Sequence, residues 1–133
     1  MAGLVVDTHA LLWYLLGSPR LSTRARSEMD AALAAGDAMR VAAVTLVEVT
    51  YLVEKGRLPE VARTRLHDLL DDPGSGVIVA PLDRQIADAV ARVDRNQVPD
   101  MPDRIIAATA LHLGLPLVSR DGKIRTSVIQ TVW

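Results

Sequence analysis

"GLVVDTHALLW" occupies Gly3 to Trp13. Three apolar residues, Leu4, Val5 and Val6, lead straight into Asp7, and a second apolar run, Ala10–Leu16, follows. A continuous, partly β-branched apolar run closed by polar residues predicts a short strand, Gly3–Val6, covered on both faces. Thr8–Leu16 predicts a buried helix, broken by Gly17, Ser18 and Pro19. An ionised carboxylate beside a core is costly without a partner. Asp7 therefore poses the question of what it meets.

The same alternation continues along the chain. Ser22–Ala35 predicts a helix with Ser22 as N-cap and Gly36 as stop. Arg40–Val44 predicts a second strand, and Thr45 opens a helix that runs to Lys55. Pro59–Leu70 is a further helix, and "DDPGSG" after it is a loop. Val77–Ala80 is a third strand, Asp83–Val93 a helix, and Asp103–Leu113 a helix stopped by Gly114. Leu117–Ser119 makes a fourth strand and Val128–Trp133 a short fifth. No internal repeat or linker divides residues 1–133, so one domain is expected. Strands alternating with helices imply an α/β fold, a parallel sheet covered on both faces. In such sheets ligands bind outside the carboxyl ends of the strands.

Composition narrows the chemistry. The chain has 133 residues, half of them hydrophobic, so a real core can be buried and disorder is not expected. Phe and Cys are both absent. That removes disulfides, thiolate metal sites and Cys nucleophiles. The longest wholly apolar run, Ala10–Leu16, is too short to span a bilayer, and no basic segment precedes it as in a signal peptide. A cytoplasmic protein without a membrane partner is the expectation. Net charge is −1, which does not advertise nucleic-acid binding. Setting four clustered acids aside would leave the remaining surface net positive. Thirteen of the fifteen basic residues are Arg, suited to bidentate phosphate contacts or a reflection of base composition.

Acids recur at strand exits. Asp7 follows the first strand, Glu48 lies one turn into the helix after the second, and "PLVSRDGKI" ends its strand in Ser119, Arg120 and Asp121. Asp103 opens a helix, whose N-terminus favours a carboxylate, and Asp100 lies three residues before it. Each acid also has a local explanation. Asp7 can cap the helix after it, Asp100 and Asp103 can do the same around Pro102, Thr45-Leu46-Val47-Glu48 matches a capping box, and Asp121-Gly122 is a common turn pair. Collectively they form one acidic edge, where like charges raise one another's pKa unless a cation sits among them. Carboxylate oxygens without Cys or clustered His select Mg²⁺ or Mn²⁺ over Zn²⁺. One or two such ions suit phosphodiester hydrolysis by an activated water. There is no phosphate-binding Gly-rich loop, no G-x-S-x-G elbow and no H-E-x-x-H.

Four stretches, "VVDTHALLW", "VTLVEVTYLVEKGRL", "PDMPDRIIAATAL" and "LPLVSRDGKI", together resemble a PIN-domain ribonuclease of the VapC toxin type, in order and spacing, over essentially the whole chain. The resemblance implies a three-layer α/β/α sandwich with a short, mostly parallel sheet. It implies a Mg²⁺- or Mn²⁺-dependent endoribonuclease, a homodimer, and a small antitoxin partner that blocks the site. Asp7, Glu48 and Asp103 match the family's three core acids and Asp121 the fourth, all implied to bind metal and carry catalysis. Asp100 and Ser119 are implied to support them, and Thr8, next to Asp7, is a candidate to hydrogen-bond a metal ligand or water, with a first-turn backbone group as its alternative partner. Family members often have Asp-Pro-x-Asp-Arg; here the Pro is displaced by one, to Pro102. Ser119 stands where Thr is common and keeps the hydroxyl.

Around these, Arg104, Arg120 and Lys123 are candidate RNA-phosphate contacts, with pairing to a nearby acid or plain solvation as the alternatives. Trp13 and Tyr14, among leucines, are expected in core packing or a dimer contact rather than in base stacking. Leu46, Val49 and Val53 share one helical face, a core stripe or a contact for antitoxin or dimer. Two rival readings are a catalytically silent PIN-fold binding module and a phospho-acceptor receiver-like domain, the latter needing an acid pair after the first strand and an Asp after the third.

Overall fold

The computed structural model describes residues 3–125 and 129–133. Strand β1 (Leu4–Val6) passes through Asp7 into helix α1 (Thr8–Leu15), and α2 (Thr23–Ala34) follows. Then come β2 (Met39–Ala42), α3 (Ala43–Glu54), α4 (Glu60–Asp71) and β3 (Val77–Ala80). Helix α5 (Arg84–Ala89) continues into a 3₁₀ turn, Val90–Arg92. Helix α6 (Met101–Leu113), β4 (Leu117–Val118), α7 (Gly122–Arg125) and β5 (Thr131–Val132) complete the chain. The strands form one parallel sheet in the order β3-β2-β1-β4-β5.

Alternation along β1 builds the layers. Leu4 and Val6 face one core, with Leu11, Met29 and Leu66, while Val5 faces the other, with Ile86, Ile106 and Leu117. A strand buried on both faces has no polar side to show, which is why "LVV" reads as unbroken apolar sequence. Gly3 sets the entry to β1. Its φ is +95°, and a Cβ there would lie 1.9 Å from the Ala38 carbonyl oxygen, which already accepts from the Leu4 N–H. Gly3→Ala is expected to destabilise the domain by about 3 kcal/mol or more in urea unfolding, through both strain and overlap.

Several boundaries moved. Strand β2 ends at Ala42, and α3 begins with no intervening loop, two residues before Thr45. Helix α6 begins at Met101, capped by Asp100, rather than at Asp103. Pro102 falls in its first turn, where no N–H is needed, so its displacement is harmless. Helix α7 stands where only a turn was expected. Of the fifth strand only Thr131–Val132 is observed, and Val128 lies outside the described residues.

The sheet order settles one rival. A receiver-like domain is wound 2-1-3-4-5, whereas here β3 is an edge strand. Asp83, the first acid after β3, caps α5 by accepting from the Ile86 N–H at 2.9 Å. Among the described residues no helix is long and apolar enough to cross a membrane.

Candidate active site

The chain switches direction across the sheet at β1: β2 lies on one side of it and β4 on the other. A crevice forms at such a switch point, beyond the carboxyl ends of the two strands. The Asp7 N–H extends the ladder to the Val118 carbonyl at 3.1 Å, which fixes Asp7 at the mouth of that crevice. Asp7 Oδ1 accepts from the Ala10 N–H at 2.8 Å, so the residue does cap α1. The cap and the site are one arrangement, since a strand that runs directly into a helix places its exit residue at a helix N-terminus.

Asp7 is only 7% exposed. Burial pushes its carboxyl above the ordinary carboxylate range. A hydrogen bond from Ser119, the Ala10 amide and the charge of His9 oppose that rise. Ser119 is fully buried and also accepts from the Asp121 N–H at 3.0 Å. One hydroxyl thus ties the exit of β1 to the exit of β4.

Glu48 enters from α3. Thr8 Oγ donates to Glu48 Oε1 at 2.6 Å, and Thr8 Oγ lies 3.0 Å from Thr45 Oγ. A hydroxyl has one proton. Because Thr8 gives its proton to Glu48, Thr45 must be the donor in the second bond. The capping-box reading of Thr45 and Glu48 is therefore corrected. Both residues lie inside α3, whose N-cap, Ala42, has no side-chain acceptor, and they reach α1 instead. Thr8→Val is expected to lower activity about tenfold and to destabilise by about 1–2 kcal/mol, because the Thr45 hydroxyl loses its acceptor. Thr8→Ser should restore both in the same assays.

Asp103, in the first turn of α6, feels all the others. Its pKa is pushed up to about 7, by burial first and then by repulsion from Asp100, Asp121, Glu48 and Asp7. Burial likewise raises Glu48, against the Thr8 hydrogen bond, with Asp100 and Asp7 adding to the rise. Asp7, Asp103 and Asp121 line one cleft of about 420 Å³, with His9, Trp13, Arg20 and Arg120. Asp100 caps α6 through the Asp103 N–H at 3.2 Å. Among the described residues no three acidic or imidazole side chains close around a common point. The acids border one crevice without converging on a single point. Hard oxygens in this number suit a divalent cation, whose charge would remove the repulsion that raises Asp103.

Other candidates fall elsewhere. Arg104 turns away from the cleft and donates from Nη2 to the Val90 and Val93 carbonyls at 2.9 and 3.0 Å. Its partners are the open end of a 3₁₀ turn, neither an acid nor the cleft. Lys123 lies in α7, and its side chain is outside the described residues. Trp13 packs against the core as expected but also lines the cleft, which the leucines around it concealed. Neither Thr45 nor Arg20 stands out in the sequence as a site residue. Thr45 was hidden by a local motif, and Arg20 sits in a loop without pattern. On α3, Val49 is buried, whereas Val47 and Tyr51 are exposed.

The chain is 27% identical over 126 residues to Ribonuclease VapC22 of Mycobacterium tuberculosis, covering 95% of this chain and 92% of that one. Its fold is similar to three solved structures. VapBC2 of Rickettsia felis, bound to a promoter DNA fragment, matches with TM-score 0.70 at 14% identity, over 96% of this chain and 95% of that one. A toxin–antitoxin complex from Klebsiella pneumoniae matches at 0.66 and 23%, over 98% and 97%. FitAcB from Neisseria gonorrhoeae matches at 0.61 and 22%, over 96% and 95%. The model of the PIN domain matches residues 4–126, a span that holds all four candidate acids, and the chain belongs to the PIN-domain family.

Proposed function

We propose that this protein is a divalent-metal-dependent endoribonuclease and the toxin of a toxin–antitoxin pair. The observation that carries the reading is that Asp7, Glu48, Asp103 and Asp121 stand close enough at the switch point to repel one another, so that burial first and these neighbours second push Asp103 up to about 7. The name of the ribonuclease relative supports the activity, and the toxin–antitoxin complexes among similar folds support the role.

The four carboxylates would hold Mg²⁺ or Mn²⁺, one or two ions per site. When bound, the metal supplies a nucleophilic water at neutral pH and neutralises charge that develops on the phosphate. The protein's own part is positional. Asp7 is locked by the α1 N-terminus and Ser119, Glu48 by Thr8, and Asp103 by the first turn of α6. Burial at the base of the cleft lowers the local dielectric and strengthens each carboxylate's interaction with a cation. Asp100 contributes as the α6 cap and as a neighbouring negative charge. Attack on the phosphorus would leave 5′-phosphate and 3′-hydroxyl ends.

An antitoxin protein that occupies the cleft and a homodimer complete the reading. The test is incubation of purified protein with total cellular RNA in Mn²⁺, Mg²⁺ or EDTA, followed by end-mapping. Cuts at a few positions in metal alone, with 5′-phosphate ends, are expected. Metal binding without any cleavage, from protein shown free of inhibitor and across messenger, transfer and ribosomal RNA, would favour the silent-module reading.

A further inference from the structure

Two guanidinium groups line a cleft that also holds three carboxylates, and neither is paired with one of them. Among the described residues, the salt bridges are Arg63–Glu60 and Arg84–Asp88, neither of which involves a residue lining the cleft. Arg20 and Arg120 are exposed at its rim. Arg120 has a different partner: its guanidinium carbon lies over the Trp13 ring, 5.7 Å from the centroid. Trp13 is itself held firmly. Trp133 meets it edge-on at 5.8 Å and 61°, His9 lies 5.8 Å away, and its inner side packs on the core.

A cation over an aromatic face is attracted by the ring quadrupole and leaves the N–H fork without an acceptor. That fork is the group that reads phosphate bidentately. Without the ring, Arg120 would have Asp121, its sequence neighbour, and Asp7 within the same cleft as competing partners. The ring thus keeps the guanidinium at the rim and out of the acid cluster, which a metal needs free. We infer that Trp13 is a shelf that positions Arg120, and that Arg120 and Arg20 grip backbone phosphates of single-stranded RNA at the mouth of the cleft. This rests on the ribonuclease reading and adds the manner of substrate binding. It also gives Trp13 a role through a cation rather than through a base.

Salt dependence separates the possibilities. Each phosphate contact on a single strand contributes about −0.7 to the slope of log K against log [salt]. The measurement is fluorescence anisotropy of a labelled oligouridylate with the full-length protein in EDTA, from low to high KCl. Arg120→Gln and Arg20→Gln should each flatten the slope by about 0.7, a loss of about fivefold in affinity per tenfold reduction in salt relative to wild type. Trp13→Leu should flatten it by the same amount as Arg120→Gln, and the double variant by no more. Trp13→Phe, which keeps a ring, should retain the wild-type slope.

A wild-type slope in Arg120→Gln and Arg20→Gln would overturn the inference. Trp13→Leu losing affinity at an unchanged slope would overturn the shelf, because a stacked base or a packing defect does not release counterions. If Trp13→Leu does not fold, the two exposed Arg variants still decide the phosphate grip, and Trp13→Met, flexible enough to fill the gap but without a ring, decides the shelf by the same slope comparison. Absence of oligouridylate binding by the wild type also overturns the inference. RNA cleavage by the same preparation would keep the ribonuclease reading standing, whereas its failure would remove that reading first.

Discussion

Asp7→Asn is expected to abolish RNA cleavage, by at least about a thousandfold or 4 kcal/mol of barrier, while leaving the fold intact. The substitution is chosen for what it preserves. Asn Oδ1 can still accept from the Ala10 N–H and cap α1, whereas Asp7→Ala would lose that cap as well, at about 1 kcal/mol. What Asn removes is one negative charge at a site that is 7% exposed. The rate is read on a mapped RNA substrate in saturating Mn²⁺, and the fold by circular dichroism. Wild-type cleavage by a well-folded Asp7→Asn protein would sink the assignment of Asp7 to the metal.

Asp103→Asn is expected to raise the melting temperature in metal-free buffer. The sign follows from linkage. Asp103 has a folded pKa of about 7 against 3.8 in a model peptide, so the native state binds its proton more tightly than the unfolded state does. That favourable contribution is complete below about pH 4 and is lost as pH rises through about 7. At pH 8 the wild type therefore holds a destabilising charge that Asn lacks. For a fully buried group the gap would amount to roughly 4 kcal/mol. Asp103 is partly exposed, and screening brings this to about 1–2 kcal/mol, or about 3–8 °C for a domain of this size. The advantage of Asn over Asp should shrink as pH falls from about 7 to about 4. Saturating Mg²⁺ should reverse the ranking at pH 8, because only the wild type gains full binding energy from the ion. An Asn variant that melts at or below the wild type in EDTA at pH 8 would count against a repelling cluster.

These effects depend on a site whose members lie far apart in sequence, yet much of it was legible there. Asp7, Asp103 and Asp121 stand out because a buried strand or helix start exposes few polar positions, and the acids occupy them. The "LVV" run and the Gly114 stop read correctly because a strand buried on both faces and a left-handed helix end impose local residue choices, and "VIVA", an edge strand with Ile78 exposed, reads through its β-branched residues between turn signals. Val77–Ala80 was placed to the residue on those grounds.

Where local chemistry offers two partners, the sequence could not choose between them. Thr45 and Glu48 satisfy a capping-box pattern, and the structure spends both on α1 instead. Arg104 beside Asp103 suggests an ion pair, but its guanidinium donates to the carbonyls of Val90 and Val93 instead. Trp13 among leucines reads as core, and only the packing of Trp133 and Arg120 around it brings its ring to the cleft. By itself, then, the sequence determined the alternating elements, the acids at their exits and the family. The tertiary structure alone decided the strand order, and with it which exits meet, which hydroxyl orients which acid and which cations stand at the rim. The reason is physical: periodicity and caps are set within a few residues, whereas a hydrogen bond such as Thr8 to Thr45 spans 37 positions and exists only once the sheet has brought α1 and α3 together.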